Sequence, residues 1–97
     1  MTDNEKIARI QRELGLTHGQ CQTFLLLAER PGWIVTYDRF ADRLWPEPDE
    51  LPEDFHDAVW CRISRLRRRL PEGLAIVRHY GIGYSLTVPK GWVRPWE

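Results

Sequence analysis

Residues 54–70 read DFHDAVWCRISRLRRRL, a stretch with two chemically different faces. Phe55, Val59, Ile63, Leu66 and Leu70 recur at spacings of four, four, three and four, which places them on one stripe of a helix that needs a core behind it. The other face carries Asp57, Trp60, Cys61, Ser64, Arg65, Arg67 and Arg68, with Arg62 and Arg69 on the flanks, so five arginines fall between positions 62 and 69. A helix seated from behind and faced with guanidinium groups has the shape and charge for a nucleic-acid groove. The charge run alone is equally compatible with a solvated surface.

Immediately upstream, Pro46 to Asp54 holds three prolines and five acids, Glu47, Asp49, Glu50, Glu53 and Asp54, with no base. Such a segment cannot lie inside a helix or sheet and is expected to be an exposed loop. The 14 acids and 14 bases give a net charge of zero, but five of the acids and five of the bases are gathered in opposite poles that stand side by side. Zero net charge argues against indiscriminate polyanion binding by the domain as a whole.

Further out, the chain divides into short elements. DNEKIARIQREL (3–14) carries Ile7, Ile10 and Leu14 on one stripe behind Asp3 or Asn4 as cap, a short amphipathic helix ended by Gly15. Its stripe fits the domain's own core or a second copy of itself. Thr17-His18-Gly19-Gln20 has the capping-box form and starts a core helix through Cys21, Phe24, Leu25, Leu27 and Ala28, stopped by Pro31-Gly32. Trp33-Ile34-Val35 is a β-prone run able to pair with something distant. Thr36 caps a helix through Tyr37, Phe40, Ala41, Leu44 and Trp45 that ends at Pro46, and the arginine helix is expected to run to Pro71. LAIVRHY (74–80) and YSLTV (84–88) form a hairpin around Gly81-Ile82-Gly83, a turn needing positive φ. Alternation in the second run predicts a sheet with one wet face. The tail from Pro89 is irregular and carries Trp92 and Trp96, which suit it to folding back over an apolar patch.

Helix, short strand, helix, loop, helix, hairpin is the order of a winged helix-turn-helix. The expected class is therefore α+β: a three-helix core with a C-terminal β-hairpin wing and an extra N-terminal helix. The expected division is 1–15 for that helix, 16–88 for the winged domain and 89–97 for the tail. From Leu16 to Val88 the chain also resembles the DNA-binding effector domain of OmpR/PhoB-type response regulators. The resemblance is carried by LTHGQCQTFLLLAERPGWIVT (16–36), RLW (43–45), ISRLRRRL (63–70) and GIGY (81–84) in the right order.

That resemblance implies sequence-specific binding of double-stranded DNA and regulation of transcription. Arg65 and Arg67 match the family's basic pair that contacts bases and phosphates, Trp45 an aromatic that meets the DNA backbone, and Gly81 and Gly83 the wing turn. With them the expected recognition-helix contacts are Trp60, Arg62, Ser64, Arg68 and Arg69, and the expected backbone and wing contacts are Thr36, Arg78, His79 and Tyr80. Arginine suits these positions because its planar fork can bind guanine O6 and N7, or a phosphate, with two hydrogen bonds. The acidic loop matches a family loop that can touch RNA polymerase. Its five carboxylates fit three uses: mere solvation, contact with a basic protein, or electrostatic restraint of the arginine helix. A single module covers one half-site, so a homodimer or tandem binding is expected.

The departures from the family are specific. Its members usually read Arg-Thr-Val-Asp-Val-His before ISRLR, whereas this chain reads Asp57-Ala58-Val59-Trp60-Cys61-Arg62. An acid replaces a base and a tryptophan replaces an acid, so base preference is expected to differ. Trp60 either packs a thymine methyl or partner pocket, or folds under the acidic loop. The wing position often held by a minor-groove arginine falls at Tyr80, the loop is longer and more acidic, and the N-terminal sheet gives way to a helix. A receiver domain is not expected, nor is phosphorylation control, and a stand-alone bacterial or phage regulator is the expected setting.

The remaining signals are negative expectations. Two cysteines and no secretory leader point to the reducing cytoplasm, in association with the nucleoid, with free thiols and no disulfide. No apolar run approaches the roughly twenty residues that span a bilayer. His18, His56 and His79 do not show metal-ligand spacing with the cysteines, and neither a nucleophile elbow nor a phosphate-cradling glycine loop is present. No enzyme, metal or cofactor is expected. The alternative to DNA binding is a winged-helix protein-interaction module that uses the acidic loop and exposed tryptophans.

Overall fold

The computed structural model describes all 97 residues. The elements are α1 (Asp3–Leu14), α2 (His18–Ala28), β1 (Val35–Thr36), α3 (Tyr37–Leu44), a 3₁₀ turn (Pro48–Glu50), α4 (Phe55–Arg67), β2 (Ala75–His79) and β3 (Gly83–Thr87). The three strands form an antiparallel sheet in the order β1-β3-β2. Helices and sheet enclose one cluster that includes Phe24, Leu27, Phe40, Val59, Ile63, Leu66, Tyr84 and Leu86. This is the expected α+β winged-helix arrangement. No helix is long and apolar enough to cross a membrane.

Local chemistry accounts for most of the boundaries. Thr2, not Asp3 or Asn4, caps α1: its hydroxyl accepts from the Glu5 amide at 3.2 Å while the Glu5 carboxylate accepts from the Thr2 amide at 3.3 Å. The Thr2 bonds also hold the Glu5 carboxyl below its ordinary range. Gly15 ends α1 with φ 66°, a conformation glycine adopts without a Cβ clash. Ile7 and Ile10 are buried and Leu14 packs beside them in the common cluster, so the α1 stripe is consumed by the domain's own core. The Thr17–Gln20 box caps α2 with both expected hydrogen bonds, 3.2 and 3.0 Å. Thr36 caps α3 by accepting from the Arg39 amide, and Asp54 caps α4 by accepting from the Asp57 amide.

Several sequence expectations are corrected. Only Val35 of the Trp33-Ile34-Val35 run enters β1, where it pairs with Tyr84. The Pro31-Gly32 turn takes up Trp33, whose amide donates to Arg30 O, and leaves Trp33 and Ile34 exposed. Helix α4 stops at Arg67: the Arg69 amide turns back to Leu66 O, closing the helix ahead of Pro71. The acidic loop is exposed as expected but contains the 3₁₀ turn, for which Pro48 supplies a pre-set φ. Of the two hairpin glycines only Gly81 has positive φ, 72°. Gly83 is required for another reason: a Cβ there would sit 1.9 Å from Val35 O, so glycine lets β1 approach β3.

Strand β3 is central and does not have one wet face. Tyr84 and Leu86 enter the core, while Ser85 is also buried and its hydroxyl lies 2.8 Å from His79 Nε2 on β2. The Tyr84 hydroxyl is buried without a hydrogen-bond partner. Burial pushes its pKa up to about 12, and the neighbouring Tyr37 phenol acts in the same direction. The tail does fold back. Trp92 meets Phe24 edge-on at 6.4 Å, and Trp96 packs on the same cluster. Between them Arg94 donates to Ala28 O and Glu29 O, both at 2.8 Å, satisfying carbonyls that the end of α2 leaves open.

Candidate nucleic-acid interface

Val59, Ile63 and Leu66 are fully buried and seat α4 against the core. Advancing 100° per residue, the side opposite them is the line Asp57, Cys61, Ser64, Arg68, with Trp60 and Arg67 toward the hairpin and Arg62 and Arg65 toward α2. The arginine face inferred from sequence is therefore the outward face of a well-seated helix. It borders two open concavities of about 490 Å³ each. One runs along Trp60, Cys61, Ser64, Arg65, Arg67 and Arg68. The other lies between the start of α4 and the wing, lined by Tyr37, Asp54, His56, Asp57, Trp60, Arg78 and Gly81.

The five arginines are not equivalent. Arg65 and Arg68 are exposed and make no hydrogen bond or ion pair within the chain. Arg67 is exposed but donates from Nη2 to Ile76 O at 2.9 Å, tying α4 to β2. Arg62 is half-buried; its guanidinium lies 5.5 Å from the Trp45 ring, and a Cβ at Gly19 would meet its Nη1 at 2.9 Å. Its cation–π contact ties α4 to the end of α3, and the absence of a side chain at position 19 gives the guanidinium room against α2. Arg69 lies beyond the helix and donates to Gly15 O at the α1–α2 junction. The sequence groups all five as expected DNA contacts; three of them have partners inside the fold.

On the wing, Tyr80 is 81% exposed at the hairpin tip, and the Arg78 guanidinium lies over its ring at 4.5 Å. Stacking of this kind holds a cation out from the surface while leaving its donors available. His79 turns to Ser85 and into the sheet, and the Thr36 hydroxyl is engaged as the α3 cap. Trp45, half-buried, sits under Arg62. Trp60 is 44% exposed, on the rim shared by both concavities.

Glu47, Asp49, Glu50, Glu53 and Asp54 are all exposed, and none forms an ion pair with an α4 arginine. Apart from the Asp54 cap, the loop carries its charge unpaired, and electrostatic restraint of α4 has no contact behind it. Cys21 and Cys61 are unpaired thiols, and burial raises the pKa of Cys21. No group of three or more His, Cys, Asp or Glu side chains converges.

The site also includes residues that were not singled out as contacts. His56 stacks on Tyr37 at 4.1 Å and forms part of the groove floor with Asp57. The cap residue Thr17 and Gly19, Gln20 and Thr23 of α2 line a further hollow, about 310 Å³, with Arg62 and Arg65. Asp57 is placed on the arginine face by its spacing and is the acid that departs from the family pattern, although it is not among the expected contacts. The α2 residues carried no such signal, because only the packing of α2 on α4 brings them there.

Residues 11–86 match the family model described as "Transcriptional regulatory protein, C terminal". The chain belongs to this family. Its members are DNA-binding effector domains of transcription regulators, and it is not an enzyme family. The match begins within α1 and ends in β3, so the Ile7 and Ile10 turns and the Trp92–Trp96 tail lie outside it. No curated protein matches the chain.

Proposed function

We propose that this effector domain binds double-stranded DNA sequence-specifically, with α4 in the major groove and the β2–β3 wing against the adjacent backbone or minor groove. The observation that carries the reading is the pair Arg65 and Arg68: unpaired cations on the outward face of a helix whose opposite face is fully buried. Trp60, Cys61 and Ser64 share that face, and Arg78 with Tyr80 extends it onto the wing. Arg62, Arg67 and Arg69 act mainly by holding α4 to the end of α3, to β2 and to the α1–α2 junction, which positions the free cations. Phosphate contacts fix the register and base edges read the sequence. One domain covers a half-site, so tight binding requires two, as a homodimer or in tandem, on DNA at the nucleoid.

A duplex titration at two salt concentrations tests this. Wild type is expected to show a steep fall of log K with log salt, and Arg65→Ala/Arg68→Ala a slope shallower by about two. Absence of duplex binding at low salt removes the reading. A second reading, protein docking, is favoured by the four unpaired loop carboxylates Glu47, Asp49, Glu50 and Glu53 and by the exposure of Trp33 and Trp60. A basic protein surface, that of RNA polymerase included, is the matching partner. Reversing Asp49 and Glu50 to lysine is expected to leave duplex affinity in place and abolish such docking.

A further inference from the structure

We propose that the first two turns of α4 set the base preference of this domain, Asp57 accepting a hydrogen bond from a cytosine N4 amine while Trp60 packs on a pyrimidine C5 methyl beside it. The inference rests on the DNA-binding reading of the same helix face. In a helix-turn-helix the N-terminal residues of the recognition helix reach the base edges, and here those outward residues are Asp57 and Trp60. They stand three apart, on one side of the helix, and line the same concavity of about 490 Å³.

The chemistry of Asp57 narrows what it can meet. Its side chain makes no hydrogen bond or ion pair; the cap on α4 is Asp54. A carboxylate only accepts, and between two phosphate backbones it is repelled wherever it does not face a donor. The major groove offers two amine donors, cytosine N4 and adenine N6. Adenine places the N7 lone pair beside its amine, which repels a carboxylate, whereas cytosine presents N4 without an acceptor of its own at that edge. Arg78 on the facing wall and Arg68 two turns or more along the helix place positive charge for the phosphates on either side.

Trp60 supplies the apolar half. An indole 44% exposed on a recognition face presents a flat apolar surface where only a C5 methyl or a sugar is comparably apolar. That methyl belongs to thymine, or to 5-methylcytosine where the DNA is modified. The plainer role for Asp57, an acid in the first helical turn complementing the helix dipole, concerns stability and predicts no change in base preference.

Selection from a randomised duplex pool, with wild type and Asp57→Asn, tests the first half. Wild type is expected to select a C·G pair at one position, and Asp57→Asn to prefer A·T there, because asparagine pairs with adenine N6 and N7. The change expected in the ratio of cytosine to adenine affinity is about tenfold or more. The second half is tested on the selected site with thymine replaced by deoxyuridine and, separately, cytosine by 5-methylcytosine. Wild type is expected to lose about fourfold on removal of the thymine methyl; Trp60→Ala is expected to be indifferent to it, and Trp60→Phe to retain most of the response. If 5-methylcytosine instead tightens wild type and thymine removal does nothing, the methyl belongs to the cytosine itself. Thermal melts establish that each variant is folded. An unchanged preference in Asp57→Asn, or no response of wild type to either methyl, overturns the corresponding half while duplex binding stands. A wild type that binds no duplex at low salt overturns the DNA-binding reading and this inference together.

Discussion

Helices α2 and α4 are built alike and used differently. Both are capped at their first turn by a side-chain oxygen, Thr17 in one and Asp54 in the other, and they pack on each other. Yet α2 buries seven residues, Cys21 and Thr23 to Ala28, while α4 buries only Val59, Ile63 and Leu66. The difference lies in their surroundings. Helix α2 has α1, α3, α4, β3 and the Trp92 tail around it, so nearly its whole circumference is core. Helix α4 has neighbours on one side, and its other side is left to solvent or to a ligand. A substitution in α2 should therefore report on folding, and one on the outward face of α4 on binding.

The hardest test of that division is Phe24→Ala in α2. Phe24 is completely buried, and truncation is expected to cost about 3–5 kcal/mol in a denaturant titration. A loss below about 1 kcal/mol would mean that α2 is not the centre of the core. Gly83→Ala comes next: the added methyl meets Val35 O, and separating β1 from β3 is expected to cost about 2–3 kcal/mol, with amide exchange of Tyr84 accelerated. The same strand carries a pH signature. The fold holds the Tyr84 phenol neutral, with its pKa raised from 10.0 to about 12, so its contribution is complete below pH about 10 and lost as pH climbs toward 12. Tyr84→Phe is expected to flatten the alkaline limb of a stability-against-pH curve. An alkaline limb unaltered in that variant would assign the loss to other groups.

Arg67 and Arg68 give the smallest and most discriminating effects. Arg68→Ala is expected to leave stability within about 0.5 kcal/mol and to lower the salt slope of duplex binding by about one. Arg67→Ala should do both kinds of damage, because the guanidinium that faces the groove also bonds Ile76 O; a stability cost of about 1 kcal/mol is expected. Equal thermal stability for the two variants would show that the Arg67 bond contributes nothing to the fold.

Much of this arrangement was legible in the primary structure wherever the signal was local. The Thr17–Gln20 box, the Thr36 cap, the Pro46 stop and the 55, 59, 63, 66, 70 stripe act through neighbours within a turn, and the elements lie where they place them except that Leu70 falls beyond the end of α4. The local signal fails where a distant partner decides. Trp33 and Ile34 have strand propensity, but only Val35 is opposite a residue of β3. Ser85 reads as solvent-facing until His79 covers it. Gly83 reads as a turn residue until Val35 O is found against it.

By itself, then, the chain's sequence determined its order of elements, their caps and the family to which they belong, because hydrogen bonds and apolar periodicity over a few residues suffice for these. Only the tertiary structure decided how the five arginines divide. One-dimensional spacing puts them all on or beside one face and treats them alike. Which of them donate to Ile76 O or Gly15 O, or lie over the Trp45 ring, depends on residues 9, 54 and 17 positions away, brought near by folding alone.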